Sequence, residues 1–408
     1  MTILVDCRCL NYPYFTGINA YTIRLLHTLY QIKEKSNSNL HITALGIKVN
    51  AWQKLVDRFE FVVKLFDEQL TMQEYLSDYT WTNRVKPVFK AKVMELEILV
   101  RKATKKNLFS DLVPCFNFII CPQPRILPIH HNSKLITVFH DIYAILTGTS
   151  KFPQNIIYSR NNCQKIINTS QVIITNSICT ANDLVQTFQN CQTKIQTIYP
   201  ALPNLREIET NKESHQKTQE TNQKTQQNKP KPNYILALSG FEQRKNWKNL
   251  VLAHHYLNQN YNWSTQLVLA GSIVDKNYHR DLQKLIQKYK IQNIIWAIEP
   301  TENEKNILLK NCLFLAYPSF YEGFGFPILE AQQHNKIVLT SRVSSMPEIG
   351  KDSCLYINPF DYIDIANGFL ILTKDPRFVA QLEQNIHTNK VQYSWNELYQ
   401  KLSHIIKN

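Results

Sequence analysis

The sequence predicts an α/β protein built from two doubly wound parallel sheets, and three observations support this prediction. Short apolar runs typical of buried strands alternate along the chain with segments of helical periodicity. The 408 residues are too many for one compact core and sufficient for two domains. Four of only nine glycines follow apolar strand-like runs, where parallel strands would place a ligand: Gly240, Gly271, Gly323 and Gly325.

The N-terminal domain is expected to cover residues 1–203. A helix should follow the first strand and run through Tyr21 and Leu29. Cys7 and Cys9 alternate along that first strand, and the odd number of cysteines without a Cys-x-x-Cys pair indicates reduced thiols in a cytoplasmic protein. Residues 171–177 are expected to be the last strand of this domain. The predicted strands are 1–10, 41–45, 116–121, 135–139 and 171–177, with 195–199 leading out of the domain.

The C-terminal domain is expected to cover residues 234–390. A polar stretch at 204–233, which lacks large apolar residues over most of its length, should be a flexible linker because it cannot bury enough surface to fold. The predicted strands of this domain are 234–238, 267–271, 294–296, 312–316 and 337–341, and the segment 281–289 is predicted to be helical.

The net charge of +14 makes anionic partners plausible. Residues 84–106 contain eight basic and two acidic side chains, with apolar residues between them. Two interpretations stay open for this segment: a peripheral contact with an anionic membrane on its inner face, or a solvated face of a core helix. The first residues show neither the basic region nor the small-residue cleavage site of a signal peptide, so none is expected, and no transmembrane helix is predicted because no window holds about 18 uninterrupted apolar residues.

The stretch 318–331 predicts a strand, a glycine-rich loop and a helix in succession. Gly323 and Gly325 allow the backbone to approach a ligand closely. Pro327 suits the first turn of a helix, whose N-terminus attracts phosphate. Glu322 and Glu330 would share a helical face if the helix started early, and carboxylates there could accept hydrogen bonds from vicinal sugar hydroxyls.

A second stretch carries two adjacent cations after an apolar strand. Arg244 and Lys245 follow Gly240 at the mouth of a strand-to-helix loop. The guanidinium of an arginine can form two parallel hydrogen bonds to a diphosphate, and the ammonium of a lysine adds a point charge.

These residues resemble a known family. The run from Glu322 to Glu330 resembles the E-x7-E signature of the retaining nucleotide-sugar glycosyltransferases of family four, which have the GT-B fold. Further matching segments are the turn at Gly17, the dipeptide His140-Asp141 after the strand 135–139, and Arg244-Lys245-Asn246.

The resemblance implies two Rossmann-like domains that face each other across a cleft, with a terminal helix, residues 391–408, that crosses back to the first domain. It also implies a hexosyltransferase that moves a sugar from a nucleotide diphosphate sugar, with retention of configuration. The acceptor would be a glycan or a lipid-linked molecule in surface polysaccharide synthesis, and the segments look most like those of mannosyl- and rhamnosyltransferases.

The resemblance also implies roles for individual residues. His140 would contact the transferred sugar and Glu322 one of its hydroxyls, while Asp141 would either orient His140 or cap the next helix. Glu330 would hold the ribose. The diphosphate would be received by Arg244, Lys245 and the loop residues Gly240, Gly323, Phe324, Gly325 and Phe326, with Gly17 either nearby or in an ordinary turn.

No metal and no nucleic acid are expected as partners. The chain contains no Asp-x-Asp, and the cations could carry the charge of the leaving group instead. Two alternatives stay open at this point. One is a sugar-nucleotide epimerase or hydrolase of the same fold, and the other is a non-catalytic protein that binds polyanions.

Overall fold

The computed structural model describes residues 1–11, 17–35, 40–48, 50–51, 65–70, 114–127, 129–148, 159–200, 233–390, 393 and 395–407. The chain divides into two compact units. Unit 1 comprises Met1–Pro200 and Trp395–Asn408, and unit 2 comprises Ala201–Ser394. The basic segment 84–106 and nearly all of the predicted linker 204–233 lie outside the described residues.

The described strands of unit 1 form one parallel sheet in the order β3-β2-β1-β4-β5-β6-β7. In chain order they are β1 (Thr2–Asp6), β2 (His41–Leu45), β3 (Glu68–Leu70), β4 (Phe118–Cys121), β5 (Lys134–Phe139), β6 (Val172–Thr175) and β7 (Ile195–Thr197). The described helices before residue 200 are α1 (Gly17–Lys35), α2 (Tyr143–Thr147), α3 (Arg160–Thr169) and α4 (Ile178–Thr187).

Two expectations for unit 1 are corrected. The first strand ends at Asp6, because its carboxylate accepts hydrogen bonds from the backbone N–H of Arg8 at 3.2 Å and from the guanidinium at 2.7 Å, which turns the chain. Cys7 and Cys9 therefore lie beyond the strand and are both buried. The segment 171–177 is not the last strand, because β7 pairs with β6 and extends the sheet.

The described strands of unit 2 form a second parallel sheet in the order β10-β9-β8-β11-β12-β13. They are β8 (Tyr234–Leu238), β9 (Leu267–Gly271), β10 (Ile294–Ile298), β11 (Cys312–Tyr317), β12 (Val338–Ser341) and β13 (Cys354–Ile357). The helices are α5 (Trp247–Asn260), α6 (Lys276–Lys288), α7 (Glu302–Asn311), α8 (Phe326–Gln333), α9 (Met346–Gly350), α10 (Tyr362–Lys374) and α11 (Pro376–Lys390).

The core of unit 2 is aromatic at its centre. Phe241 stacks on Trp247 at 4.5 Å between ring centroids, and Phe314 packs against Phe369 at 5.6 Å. All four side chains are buried, and they fix the strand ends from which the loops of the sheet's carboxyl edge emerge.

The C-terminal helix α12 (Trp395–Lys407) belongs to unit 1. Lys401 Nζ donates to the carbonyl of Thr197 at 3.3 Å, and Lys35 Nζ of α1 lies 4.9 Å from the ring centroid of Tyr399. Among the described helices, none combines the length and apolarity that crossing a bilayer requires.

Candidate functional site

Two loops meet at the carboxyl edge of the unit 2 sheet. One follows β8 and carries Arg244 and Lys245, and the other is the glycine loop, residues 318–325, which follows β11. The loops are adjacent because β8 and β11 are paired neighbours in the sheet. They are also bonded directly, since the N–H of Phe320 donates to the carbonyl of Arg244 at 2.9 Å.

Asn246 ties these loops to a third one. Its backbone is left-handed, with φ of 60°, a conformation that asparagine tolerates better than most residues. Its buried amide donates to the carbonyls of Pro318 at 2.9 Å and Pro359 at 2.7 Å. One side chain thus fixes the loops after β8, β11 and β13 relative to one another, a role that the sequence interpretation did not assign.

Glu322 joins the two cations. Its Oε2 lies 3.0 Å from Nη1 of Arg244, and its Oε1 lies 2.7 Å from Nζ of Lys245. Burial raises the pKa of Glu322, but Arg244 and then Lys245 outweigh burial and lower the pKa to about 2. The carboxylate is therefore charged at neutral pH. Arg244 also contacts Glu242, with 3.1 Å between Nη2 and Oε1.

Lys245 is held on more than one side. Its ammonium donates to the hydroxyl of Tyr317 at 3.3 Å as well as to Glu322. Burial, followed by the neighbouring charge of Arg244, lowers the pKa of Lys245. The site therefore contains a cation of reduced basicity whose position is set before any ligand arrives.

The backbone of the glycine loop is clamped by two serines from the turn after β12. The N–H of Glu322 donates to Ser344 Oγ at 3.1 Å. Ser345 Oγ contacts the carbonyls of Glu322 at 2.9 Å and of Phe324 at 3.0 Å. The sequence interpretation assigned no role to these two serines.

Helix α8 starts at Phe326, after the glycine loop. Gly325 is the N-cap of this helix, with φ of 100°, and no side chain caps the N-terminus. Pro327 lies in the first turn, as predicted. The expectation that Glu322 and Glu330 share a helical face is wrong, because Glu322 lies four residues ahead of the helix. The left-handed backbone of Gly325 prevents an earlier start.

Glu330 lies in α8 and is paired with a third cation. Its Oε1 is 3.4 Å from Nζ of Lys305 in α7, and the same ammonium is 3.1 Å from Glu302. Burial lowers the pKa of Lys305, but Glu330 and Glu302 outweigh burial and raise the pKa. The pairing of Lys305 with Glu330 was not predicted from the sequence, because Lys305 lies on an ordinary amphipathic helix without a motif.

Gly240 has a packing reason to be glycine. A Cβ at Gly240 would lie 2.7 Å from Cγ2 of Val274, and its carbonyl accepts from Trp247 Nε1 at 3.0 Å. Gly271 is tighter still, because its Cβ would lie 1.7 Å from the carbonyl oxygen of Ser239. Both glycines let the loops after β8 and β9 pack closely.

In unit 1, His140 follows β5 and is buried. Its Nε2 lies 2.7 Å from the carbonyl of Pro122, which can only accept, so Nε2 carries the proton. Burial lowers the pKa of His140. The ring packs edge-on against Tyr21 of α1 with 4.9 Å between centroids. His140 is therefore a neutral imidazole in a fixed orientation, with Nδ1 as its acceptor nitrogen.

Asp141 and Gly17 complete the predicted residues of unit 1. Asp141 Oδ1 accepts from the N–H of Tyr143, the first residue of α2, at 3.2 Å, but the N-cap of that helix is Ile142, so Asp141 does not occupy the capping position. Gly17 is the exposed first residue of α1, one turn before Tyr21. Within the described part of the chain, no three His, Cys, Asp or Glu side chains are grouped to hold a metal ion.

Comparisons with known proteins show which proteins the chain resembles. The family described as Glycosyl transferases group 1 matches residues 218–389. The O-antigen chain mannosyltransferase RfbU of Salmonella typhimurium is 25% identical over 350 residues, which cover 85% of this chain and 84% of that protein. The O-antigen chain mannosyltransferase B of Escherichia coli is 25% identical over 65% of this chain and 68% of that protein.

Solved structures agree on the fold. The crystal structure of Anabaena Alr3699/HepE in complex with UDP and glucose matches with a TM-score of 0.67 and 14% identity, covering 100% of this chain and 99% of that one. The chain is therefore a hexosyltransferase with the GT-B fold, and its residues 218–389 match the Glycosyl transferases group 1 family.

Proposed function

We propose that this enzyme transfers a hexose from a nucleoside diphosphate sugar to a glycan or lipid-linked acceptor in surface polysaccharide synthesis, with retention of configuration and without a metal ion. The observation that carries the proposal is the buried Glu322, which holds Arg244 and Lys245 beside the glycine loop. The relatives named as O-antigen mannosyltransferases support the glycan acceptor, and HepE with UDP and glucose supports the class of donor.

The cations would stabilise the departing diphosphate. Charge develops on the leaving group as the glycosidic bond breaks, and Arg244, Lys245 and the N-terminus of α8 can interact with that charge. Because Glu322 already orients both cations, little reorganisation would be needed at the moment of reaction. This arrangement supports a transfer that needs no metal to neutralise the diphosphate.

Retention would follow from displacement on one face of the sugar. Glu322 is a poor nucleophile, since two cations engage its oxygens and its pKa is lowered to about 2. A covalent sugar–enzyme intermediate on this carboxylate is thus disfavoured. Its remaining lone pairs could still accept a hydrogen bond from a hydroxyl of the donor sugar. Glu330, oriented by Lys305, would hold the ribose, and His140 would contact the transferred sugar.

A transfer assay tests the proposal. Purified enzyme would be incubated with an oligosaccharide acceptor and nucleotide sugars carrying GDP, UDP, dTDP or ADP, beginning with GDP-mannose because of the relatives. We expect one donor to react in the presence of EDTA with retained configuration, and Lys245→Ala or Glu330→Ala to lower the rate at least about 100-fold. Exposed Lys276→Ala is the matched control.

Three results would contradict the proposal. Full turnover by Lys245→Ala would show that Lys245 does not stabilise the departing diphosphate. A product with inverted anomeric configuration would exclude a retaining transfer. Conversion of the donor in the absence of any acceptor would instead indicate the epimerase or hydrolase alternative.

A further inference from the structure

Tyr317 lies directly beneath the cationic pair. It is the last residue of β11 and is 3% exposed. Thr340 Oγ1 of the neighbouring strand β12 donates to its carbonyl at 2.9 Å, which fixes the end of β11. The phenol is therefore held by the sheet itself and does not depend on a loop for its position.

The hydroxyl of Tyr317 takes part in the ion pair. It accepts a hydrogen bond from Nζ of Lys245 at 3.3 Å, and the same ammonium donates to Oε1 of Glu322 at 2.7 Å. Burial and then the charge of Glu322 raise the pKa of Tyr317, so the phenol keeps its proton while its lone pairs accept from Lys245. Lys245 thus links Tyr317 to Glu322 in a buried environment, where each contact is strengthened.

The ring of Tyr317 contacts the other half of the site. A Cβ built on Gly325, the N-cap of α8, would lie 3.9 Å from Cε1 of this ring. The ring centroid is 5.6 Å from Nζ of Lys245. One rigid side chain therefore spans the distance between the cation and the N-terminus of α8, the two groups assigned to the diphosphate.

We propose that Tyr317 is a positioning residue, which holds Lys245 and Glu322 at a fixed place relative to the N-terminus of α8 so that the site receives a nucleoside diphosphate without rearrangement. The inference rests on the proposed function, since it concerns the same site. Tyr317 acts through Lys245 and contacts neither the sugar nor the reacting bond.

The proposal predicts a specific pH signature. The hydroxyl stabilises the charged form of Lys245 by accepting a hydrogen bond from its ammonium, in a place where burial already lowers the pKa of that lysine. Without the hydroxyl the pKa of Lys245 falls further, so the ammonium loses its proton at a lower pH. Diphosphate affinity should then decline earlier as the pH rises, which a purely structural role of the ring would not cause.

The test is a calorimetric titration of the wild type and Tyr317→Phe with the preferred nucleoside diphosphate between about pH 6 and pH 10. Loss of a hydrogen bond to a charged group predicts about tenfold weaker binding at neutral pH. The alkaline decline should also begin at a lower pH than in the wild type. In Lys245→Ala, the additional change Tyr317→Phe should have no further effect on affinity.

Tyr234→Phe is the matched control. Tyr234 is equally buried, and its hydroxyl donates to the carbonyl of Leu308 at 2.8 Å, at the amino end of β8. It should lower stability and leave the titrations unchanged. The inference would be overturned if Tyr317→Phe kept the affinity and pH dependence of the wild type. It would also be overturned if Tyr317→Phe weakened binding as much in the Lys245→Ala background as in the wild type. Neither result would contradict the proposed function. A wild type that binds no nucleoside diphosphate would refute the proposed function as well.

Discussion

Glu322 is a carboxylate with 5% of its surface exposed, and each of its oxygens lies within 3.0 Å of a cation. A buried charge of this kind is stable only while its partners are present. The motif that contains Glu322 is visible in the sequence, but its partners are not, because Arg244 and Lys245 are more than seventy residues away. Only the pairing of β8 with β11 brings them together.

Glu322→Gln should therefore change stability in a pH-dependent way. The folded pKa of about 2 lies below the ordinary value, so Glu322 contributes stability above the unfolded pKa of about 4.3, and this contribution is lost as the pH falls towards 2. We expect the variant to be less stable than the wild type by about 3 kcal/mol at pH 7. The difference should shrink by about pH 3.

Urea unfolding at the two pH values measures this difference, and Glu383→Gln, at an exposed position of α11, is the control. A constant difference between wild type and Glu322→Gln at both pH values would contradict the assigned ion pairs.

At the scale of elements, loop positions depend on single polar side chains. Asn246 reaches Pro318 and Pro359, and Ser345 holds Glu322 and Phe324. Buried aromatic residues such as Phe241 and Phe324 anchor these loops to the core, and the polar bonds fix the backbone between the anchors.

Asn246→Ala should destabilise unit 2 by about 2–4 kcal/mol, because the buried carbonyls of Pro318 and Pro359 each lose a hydrogen bond and alanine disfavours a left-handed backbone. Asn246→Gly separates the two causes, since glycine restores the backbone freedom and only the hydrogen bonds stay lost. Thermal unfolding should rank the wild type above Asn246→Gly and Asn246→Ala last. Equal stability of the wild type and Asn246→Ala would show that the amide does not hold the loops.

The sequence predicted some elements well and others poorly, for physical reasons. Strands β8 and β9 were predicted at their observed bounds because both are apolar along their whole length and buried on both faces. Strand β13 was not predicted, since its four residues include two that are only half-buried. Whether α8 starts early enough to include Glu322 could not be decided from the sequence, because the left-handed conformation of Gly325 cannot be read from composition.

The same limit applies to the candidate site. Arg244, Lys245 and Glu322 were recognised from their motifs, and the structure brings them together. Lys305 and Tyr317 were not, because a lysine in a helix and a tyrosine at a strand end are common in any α/β protein. Their significance depends on which side chain lies opposite them, and that is decided by tertiary packing.

In the molecule as a whole, the C-terminal residues belong to the same unit as the N-terminal residues. Helix α12 belongs to unit 1, and its buried residues are Leu398, Leu402, Ser403, Ile405 and Ile406. The expected boundary at residue 391 lies four residues before this helix begins.

Deletion of residues 395–408 should destabilise unit 1 by about 5 kcal/mol or more, since the apolar face packed on α1 is lost. Unit 2 contains the proposed diphosphate site, so nucleotide affinity should stay close to that of the full chain. Differential scanning calorimetry and nucleotide titration together measure both quantities, with a chain that ends at Lys407 as the control. If the deletion abolished nucleotide binding but left the unfolding temperature of unit 1 unchanged, the assignment of α12 to unit 1 and of the diphosphate site to unit 2 would be contradicted.

The central claim is that Arg244, Lys245 and the glycine loop receive a diphosphate. Isothermal titration of the wild type and Lys245→Ala, each with a nucleoside diphosphate and with the same nucleoside lacking phosphate, tests it most directly. We expect the wild type to bind the diphosphate at least about tenfold more tightly than the nucleoside, and Lys245→Ala to lose most of this preference. Equal affinities for the two ligands in the wild type, or an unchanged preference in Lys245→Ala, would contradict it.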